Sequence, residues 1–194
     1  MNSGKSIEVL KVAYSYKEQN KETILLTSSL DTRSGESYVA SRIGLKQLAR
    51  GVNPDTDVLV LIQSIINKID KKIFAVIVDE SQFLTEKQVI QLTQVVDNLG
   101  IPVLCYGLKN DFQNKLFEGS QALLVYADKI MEIKTVCMFC NKKATMNLRI
   151  HNGHPVYHGE QVLIGGNESY ISVCRQCYNH PELEKKIEEN LNGK

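Results

Sequence analysis

The chain has 194 residues, 43% hydrophobic and 23% charged, and its 23 basic and 22 acidic side chains leave a formal net charge of +1. That length can bury one sizeable core, or one core and a small satellite domain. The charge balance gives no electrostatic ground for a polyanionic partner such as duplex nucleic acid. The longest apolar run, Ile73 to Val78, falls far short of a membrane span.

In chain order, Lys5 to about Gln19 carries Ile7, Leu10, Val12, Ala13 and Tyr16 at close to helical spacing. Thr23 to Thr27 reads as a short apolar strand. The Ser-, Thr- and Gly-rich stretch from Ser28 to Arg42 reads as a mobile loop. Asp57 to Ile69 reads as a second helix. Ile73 to Val78 is apolar at every position, as expected of a strand covered on both faces in a parallel sheet. Thr85-Glu86-Lys87-Gln88 is a capping-box pattern that opens a helix with Val89, Leu92, Val95, Val96 and Leu99 on its apolar face. Gly100 ends that helix, and Ile101 to Tyr106 is a further strand. Strands alternating with helices predict an α/β core built on a parallel sheet. From about Thr135 the texture changes to cysteine pairs, glycines and short mixed strands, until Pro181 starts a charged terminal helix. Two domains are expected, 1–134 and 135–194.

The first chemical signal is Met1-Asn2-Ser3-Gly4-Lys5-Ser6, the second half of the pattern G-x-x-x-x-G-K-[ST]. Glycine permits a turn that aims backbone N–H groups at phosphate oxygens, and the helix that follows adds its dipole. The Lys reaches the β/γ-phosphates and the Ser ligates Mg²⁺. The pattern's first glycine would fall two residues before Met1, and no strand precedes the loop. A working enzyme longer than this chain by roughly one strand and a turn is therefore expected, with an open slot beside Ile73–Val78 where that strand would sit.

The second signal is Asp79-Glu80, at the carboxyl end of the all-apolar strand, where open α/β sheets bind ligands. An Asp there can hold Mg²⁺, and the adjacent Glu is free to accept a proton from a nucleophile. Together the two signals indicate a P-loop phosphotransferase or NTPase.

The third is Cys137-x-x-Cys140 with Cys174-x-x-Cys177. No secretory leader opens the chain, so reduced thiols and a cytoplasmic setting are expected, and the pairs read as metal ligands rather than disulfides. Four thiolates suit tetrahedral Zn²⁺ in a structural role, with no position left open for catalysis. The 33 residues between Cys140 and Cys174 require a long loop that leaves the knuckles and returns. His151, His154, His158 and His180 read as exposed loop residues, and Cys105 as a small buried hydrophobe.

In this order these elements, with Asp31-Thr32-Arg33 and Asp79-Glu80-Ser81-Gln82-Phe83, resemble the type II, zinc-containing thymidine kinases. The strongest likeness is Gly166-Asn167-Glu168-Ser169-Tyr170-Ile171-Ser172-Val173-Cys174-Arg175-Gln176-Cys177-Tyr178, which is similar to that family's segment of a small residue, an acid, Tyr, a small residue and Cys-x-x-Cys. The resemblance implies a P-loop (RecA-like) parallel sheet with helices on both faces, and a small zinc-ribbon-like domain carrying a long lasso loop. It implies transfer of a phosphoryl group from ATP to thymidine. Met1, Asn2, Ser3, Gly4, Lys5 and Ser6 would hold the ATP phosphates and Mg²⁺, with Asp31, Thr32, Arg33, Asp79, Ser81 and Gln82 beside them and Glu80 as general base. Phe83, Phe112 and Phe117 would line the nucleoside pocket. Gln161, Val162, Leu163, Ile164 and Gly165, with Tyr170, would form the loop over thymine. A homotetramer and feedback inhibition by dTTP are also implied. The stretch Leu108-Lys109-Asn110-Asp111-Phe112 departs from the family's frequent Leu-Asp-Gly-x-Phe. The rival reading is a zinc-ribbon ATPase module acting on nucleic acid, with Asp79-Glu80-Ser81-Gln82 as a helicase-like box. The single small α/β core and the near-zero net charge disfavour it.

Overall fold

The computed structural model describes residues 3–29, 38–161 and 169–181. The chain divides into two compact units. The α/β unit comprises Gly4–Lys109 and Leu116–Met131; the cysteine unit comprises Ser3, Asn110–Lys115 and the described residues from Glu132 onward.

The α/β unit runs α1 (Lys5–Glu18), β1 (Glu22–Ser28), β2 (Tyr38–Ala40), β3 (Lys46–Leu48), β4 (Arg50–Val52), α2 (Val58–Lys68), β5 (Ile73–Asp79), a 3₁₀ turn at Ser81–Phe83, α3 (Glu86–Leu99), β6 (Val103–Cys105) and α4 (Glu118–Tyr126). Its main sheet has the order β4-β1-β5-β6, parallel throughout. Strand alternation divides the core between the two faces. Ile24, Leu26, Val76 and Val78 pack with Val58 and Ile62 of α2 and Val89, Leu92 and Val95 of α3. Leu25 and Ile77 pack on the other side with Val9, Leu10 and Ala13 of α1. The expected parallel sheet with helices on both faces is what forms.

The helix ends follow local chemistry. Asp57 caps α2 by accepting from the Val60 N–H at 3.0 Å, and the Gln91 side chain accepts from the Val58 N–H at 3.0 Å. Thr85 and Gln88 form the expected reciprocal capping box of α3. Gly100 ends α3 with φ 65°, a left-handed conformation that suits glycine.

Two expectations need correction. β5 has no open slot beside it, because β1 pairs along one edge and β6 along the other. Part of the Ser28–Arg42 stretch is ordered strand. Residues 30–37 lie outside the described residues, but Tyr38–Ala40 pairs antiparallel with Lys46–Leu48, and Arg50–Val52 joins the main sheet. Strands of three residues with mostly exposed side chains leave no hydrophobic period to read.

The cysteine unit holds a three-stranded antiparallel sheet ordered β8-β7-β9, from β7 (Met146–His151), β8 (His154–Val156) and β9 (Ser169–Val173), followed by the short α5 (Arg175–Asn179). Its core is small: Ala144, Leu148, Val173 and Tyr178 around the buried thiols of Cys137, Cys174 and Cys177. The expected terminal helix beyond Pro181 lies outside the described residues.

Gln88 is 1% exposed, and its side-chain N–H groups also donate to the carbonyls of Asn53 at 2.7 Å and Thr56 at 3.0 Å. Gln88→Ala therefore removes half a capping box and strands two carbonyls on the segment before α2. A loss of about 2–4 kcal/mol is expected in urea unfolding, against less than about 1 for Lys87→Ala on the exposed face of the same turn.

Candidate active site and metal centre

Gly4 caps α1 with φ 77° and ψ 16°, a left-handed conformation that places Lys5 and Ser6 in the first helical turn. At the far end of β5, Asp79 is 4% exposed. One of its oxygens accepts from the Ser6 hydroxyl at 3.2 Å, and the other accepts from the Glu80 N–H at 3.0 Å. Burial, reinforced by the neighbouring Glu80 charge, pushes the Asp79 carboxyl up to about 6; the hydrogen bonds from Glu80 and Ser6 and the Lys5 charge oppose this. The Ser6 hydroxyl and Asp79 carboxylate form a hard oxygen pair at a helix N-terminus, a donor set suited to Mg²⁺ and phosphate.

Glu80 leaves the strand with φ 52° and ψ 38°, left-handed backbone that a non-glycine residue adopts at a cost. That turn sets the half-buried Glu80 carboxylate apart from Asp79, where the Gln82 side-chain N–H donates to it at 2.6 Å. The next residues form a tight 3₁₀ turn, tied to the β6 side by the Ser81 N–H donating to the Tyr106 carbonyl at 2.9 Å. In the same unit, the Phe83 and Phe117 rings meet edge to face at 5.8 Å.

In the cysteine unit the four Sγ atoms of Cys137, Cys140, Cys174 and Cys177 all lie within 4.8 Å of one another. Cys140 is 3.7 Å from Cys174 and 3.8 Å from Cys177. A tetrahedron with Zn–S bonds of about 2.3 Å has edges of roughly 3.8 Å, so the thiols present fit a zinc ion. Cys174 is the N-cap of α5, and the Cys177 N–H donated to its sulfur draws that thiol below its ordinary range. The centre is closed by its own ligands, as a structural site is.

Comparison with known proteins decides the family. The family model described as thymidine kinase matches residues 1–178. A thymidine kinase of Streptococcus pyogenes serotype M3 is 55% identical over 183 residues, covering 94% of this chain and 95% of its own. One from Lactiplantibacillus plantarum is 57% identical over 181 residues (93% and 92%), and one from Enterococcus faecalis 56% over 182 residues (94% and 92%). The chain belongs to the thymidine kinase family.

The thymidine kinase resemblance named residues that fall into three groups. Lys5, Ser6, Asp79, Glu80, Ser81, Gln82, Phe83 and Phe117 lie in the α/β unit, where Ser6 meets Asp79 and Gln82 meets Glu80. Gly4 also lies in the α/β unit, and Ser3, Phe112, Gln161 and Tyr170 lie in the cysteine unit. Met1, Asn2, Asp31, Thr32, Arg33, Val162, Leu163, Ile164 and Gly165 lie outside the described residues. Ser81 and Gln82 are buried rather than presented to solvent. All four histidines are exposed, although His151 and His154 sit opposite one another in the β7–β8 hairpin rather than in a loop. Cys105 is only half-buried, on the edge strand β6.

Sequence reading missed two residues of the cysteine unit. Asp111 is buried and accepts from the N–H groups of Gln113 and Lys115 and from the Gln161 side chain, at 2.8, 2.9 and 2.9 Å. Arg149 is 3% exposed and lies over the Phe112 ring at 4.8 Å, while Phe112 meets Tyr170 at 6.2 Å. Arg149 neighbours the buried Leu148 in β7, so the usual alternation hides it as an outward-facing cation.

Two outcomes follow. The purified, reduced protein is expected to carry one zinc per chain by elemental analysis, and its removal by a chelator is expected to expose the small cysteine-unit core to rapid proteolysis; metal-free protein of unchanged resistance contradicts the structural role. The second concerns Asp79. A carboxyl raised from 3.8 to about 6 keeps a proton in the folded chain that the unfolded chain has lost, so the contribution of Asp79 to apoprotein stability is greatest below the unfolded value and is lost as pH rises through about 6. Asp79→Asn is expected to flatten this dependence and to stabilise the apoprotein above that pH by on the order of 1–3 kcal/mol. Thermal melts of both forms between about pH 4 and 7 provide the check, with parallel curves across that range as the contrary outcome.

Proposed function

We propose that this chain transfers the γ-phosphoryl group of ATP to the 5′-hydroxyl of thymidine, giving dTMP and ADP. The observation that carries the reading is the Asp79-Glu80 pair at the carboxyl end of β5, with the hydroxyl of the glycine-capped helix hydrogen-bonded to Asp79, in a chain of the thymidine kinase family.

Phosphoryl transfer asks the protein for positioning and charge neutralisation more than for covalent chemistry. The segment Met1-Asn2-Ser3-Gly4 and Lys5 are assigned to the ATP phosphates, with Asp31, Thr32, Arg33, Ser81 and Gln82 on the same side. Ser6 and Asp79 are assigned to Mg²⁺, which when bound with ATP neutralises the charge on its phosphates. Glu80 orients the 5′-hydroxyl and takes its proton as the O5′–Pγ bond forms and the bond from Pγ to the β-phosphate oxygen breaks. Thymidine contact is assigned, on the family resemblance, to Phe83, Phe112, Phe117, Gln161, residues 162–165 and Tyr170. Aromatic walls suit a flat pyrimidine, and backbone amides can read its edges without introducing a charge. Residues 1–134 would thus carry the ATP chemistry and 135–194 the zinc centre. A homotetramer, inhibition by dTTP and a cytoplasmic location complete the reading. No helix among the described residues is long and apolar enough to cross a membrane.

The test incubates the protein with ATP, Mg²⁺ and each of the four deoxynucleosides, with products separated by chromatography. Formation of dTMP is expected, with Glu80→Gln lowering kcat by about 10²–10⁴-fold while ATP binding persists. A variant within a few-fold of wild type removes Glu80 from the base role. Absence of dTMP, together with ATPase raised by single-stranded DNA in a salt-sensitive way, favours the nucleic-acid reading instead.

A further inference from the structure

The geometry points to Gln82 as a positioning residue that holds the Glu80 carboxylate in one orientation through an amide whose own orientation is fixed by the Leu108 N–H. The inference rests on Glu80 being the base and concerns how that carboxylate is aimed.

Gln82 is 2% exposed, and both ends of its side-chain amide are engaged. Its Nε2 donates to Glu80 Oε2 at 2.6 Å, and its Oε1 accepts from the Leu108 N–H at 3.0 Å. A backbone N–H can only donate, so the oxygen end of the amide must face Leu108 and the nitrogen end must face Glu80. A flip would set an amide N–H₂ against the Leu108 N–H and bring the Gln82 oxygen against the Glu80 carboxylate, a clash at both ends. The assignment thus follows from the donors and acceptors themselves.

The surrounding backbone is shaped for this bracket. A Cβ on Gly107 would lie 2.9 Å from Gln82 Oε1, 2.9 Å from the Gln82 nitrogen and 2.7 Å from Ser81 Oγ, distances too short for any side chain. A Cβ on Gly119 would lie 2.6 Å from each of the Ser81 and Leu84 carbonyl oxygens. Two glycines from separate segments let the backbone close on the 3₁₀ turn, and the Ser120 hydroxyl fixes the Leu108 carbonyl at 2.6 Å. Leu108, whose N–H orients Gln82, is therefore held through its own carbonyl as well.

The consequence falls on Glu80. With Oε2 engaged by Gln82, the other oxygen is left to receive the substrate proton, and the carboxylate cannot swing about its terminal torsion, which is otherwise soft. The left-handed Glu80 backbone fixes the root of the side chain, and Gln82 fixes its tip. Preorganisation of this kind acts on turnover rather than on substrate binding.

Two variants separate this role from simple packing. Gln82→Glu keeps the size of the side chain and an acceptor for the Leu108 N–H, but replaces the donor to Glu80 with a repelling oxygen. Gln82→Met fills the same space with neither bond. Both are expected to lower kcat for thymidine about 10–100-fold with KM changed less than about three-fold. A packing role predicts instead that Gln82→Glu keeps wild-type kcat, or that kcat, KM and melting temperature all worsen together; either overturns the inference. Independently of whether the variants fold, the Gln82 side-chain amide of the wild-type protein is expected to give a slowly exchanging ¹⁵N NMR pair that shifts on Glu80→Gln. A fast-exchanging pair blind to that change overturns it equally. If Glu80→Gln itself retains turnover, the base assignment fails; if Glu80→Gln loses turnover while Gln82→Glu does not, only the positioning role fails.

Discussion

Because β5 is paired with β1 as far as Asp79 and with β6 as far as Cys105 opposite Val78, its carboxyl end is held by hydrogen bonds on both edges. Helices cover both faces, so the strand can carry apolar residues at almost every position and still bury all but the half-buried Phe74. That arrangement makes β5 a rigid mount. Asp79 inherits its position from the sheet, Glu80 from the turn that leaves it, and Ser6 reaches Asp79 because α1 packs across the same strand through Val9, Leu10 and Ala13. Loss of pairing on either edge would loosen all three groups together.

The cysteine unit obeys a different constraint. Its core includes three of the four clustered thiols, and only a few apolar side chains pack around them. A core of that size offsets little of the entropy of ordering two knuckles, and an ion held by the four thiols would act as a staple. The sheet serves the same end: β7 is central, and β9 runs directly into Cys174. Tyr178, which follows the last cysteine, donates its hydroxyl to the Phe112 carbonyl at 2.6 Å, linking the second cysteine knuckle to the backbone of the 110–115 segment through one hydrogen bond.

What could be read in the sequence was local. The α3 capping box, the glycine that ends the same helix, the all-apolar β5 with its acidic terminus and the two cysteine pairs each involve residues a few positions apart, and each forms as expected. What could not be read was non-local or too short. The 110–115 segment belongs with the cysteine unit through bonds from Asn147 and Tyr178, respectively 37 and 66 residues away from their partners. The Gln82–Leu108 bond spans 26 residues, and nothing in Asp79-Glu80-Ser81-Gln82 announces it. Gly107 and Gly119 carried a faint signal, since a glycine just after a strand and another within a helix both suggest close backbone approach.

Two carboxylates adjacent in sequence ordinarily compete, because each charge opposes the other. Here the backbone separates their environments. Asp79 ends the strand, buried against a hydroxyl and its neighbour's N–H, and burial pushes its carboxyl up towards neutrality. Glu80 is turned out of the sheet by its left-handed φ and meets a donor amide instead of a metal-type donor set. A straight continuation of β5 would have sent successive side chains to opposite faces of the sheet, both covered by helices, and left no carboxylate free for substrate. The backbone strain at Glu80 is therefore what gives two carboxylates adjacent in sequence different surroundings, and the hydrogen bonds of Gln82 and of the Ser81 N–H are what hold that strain in place.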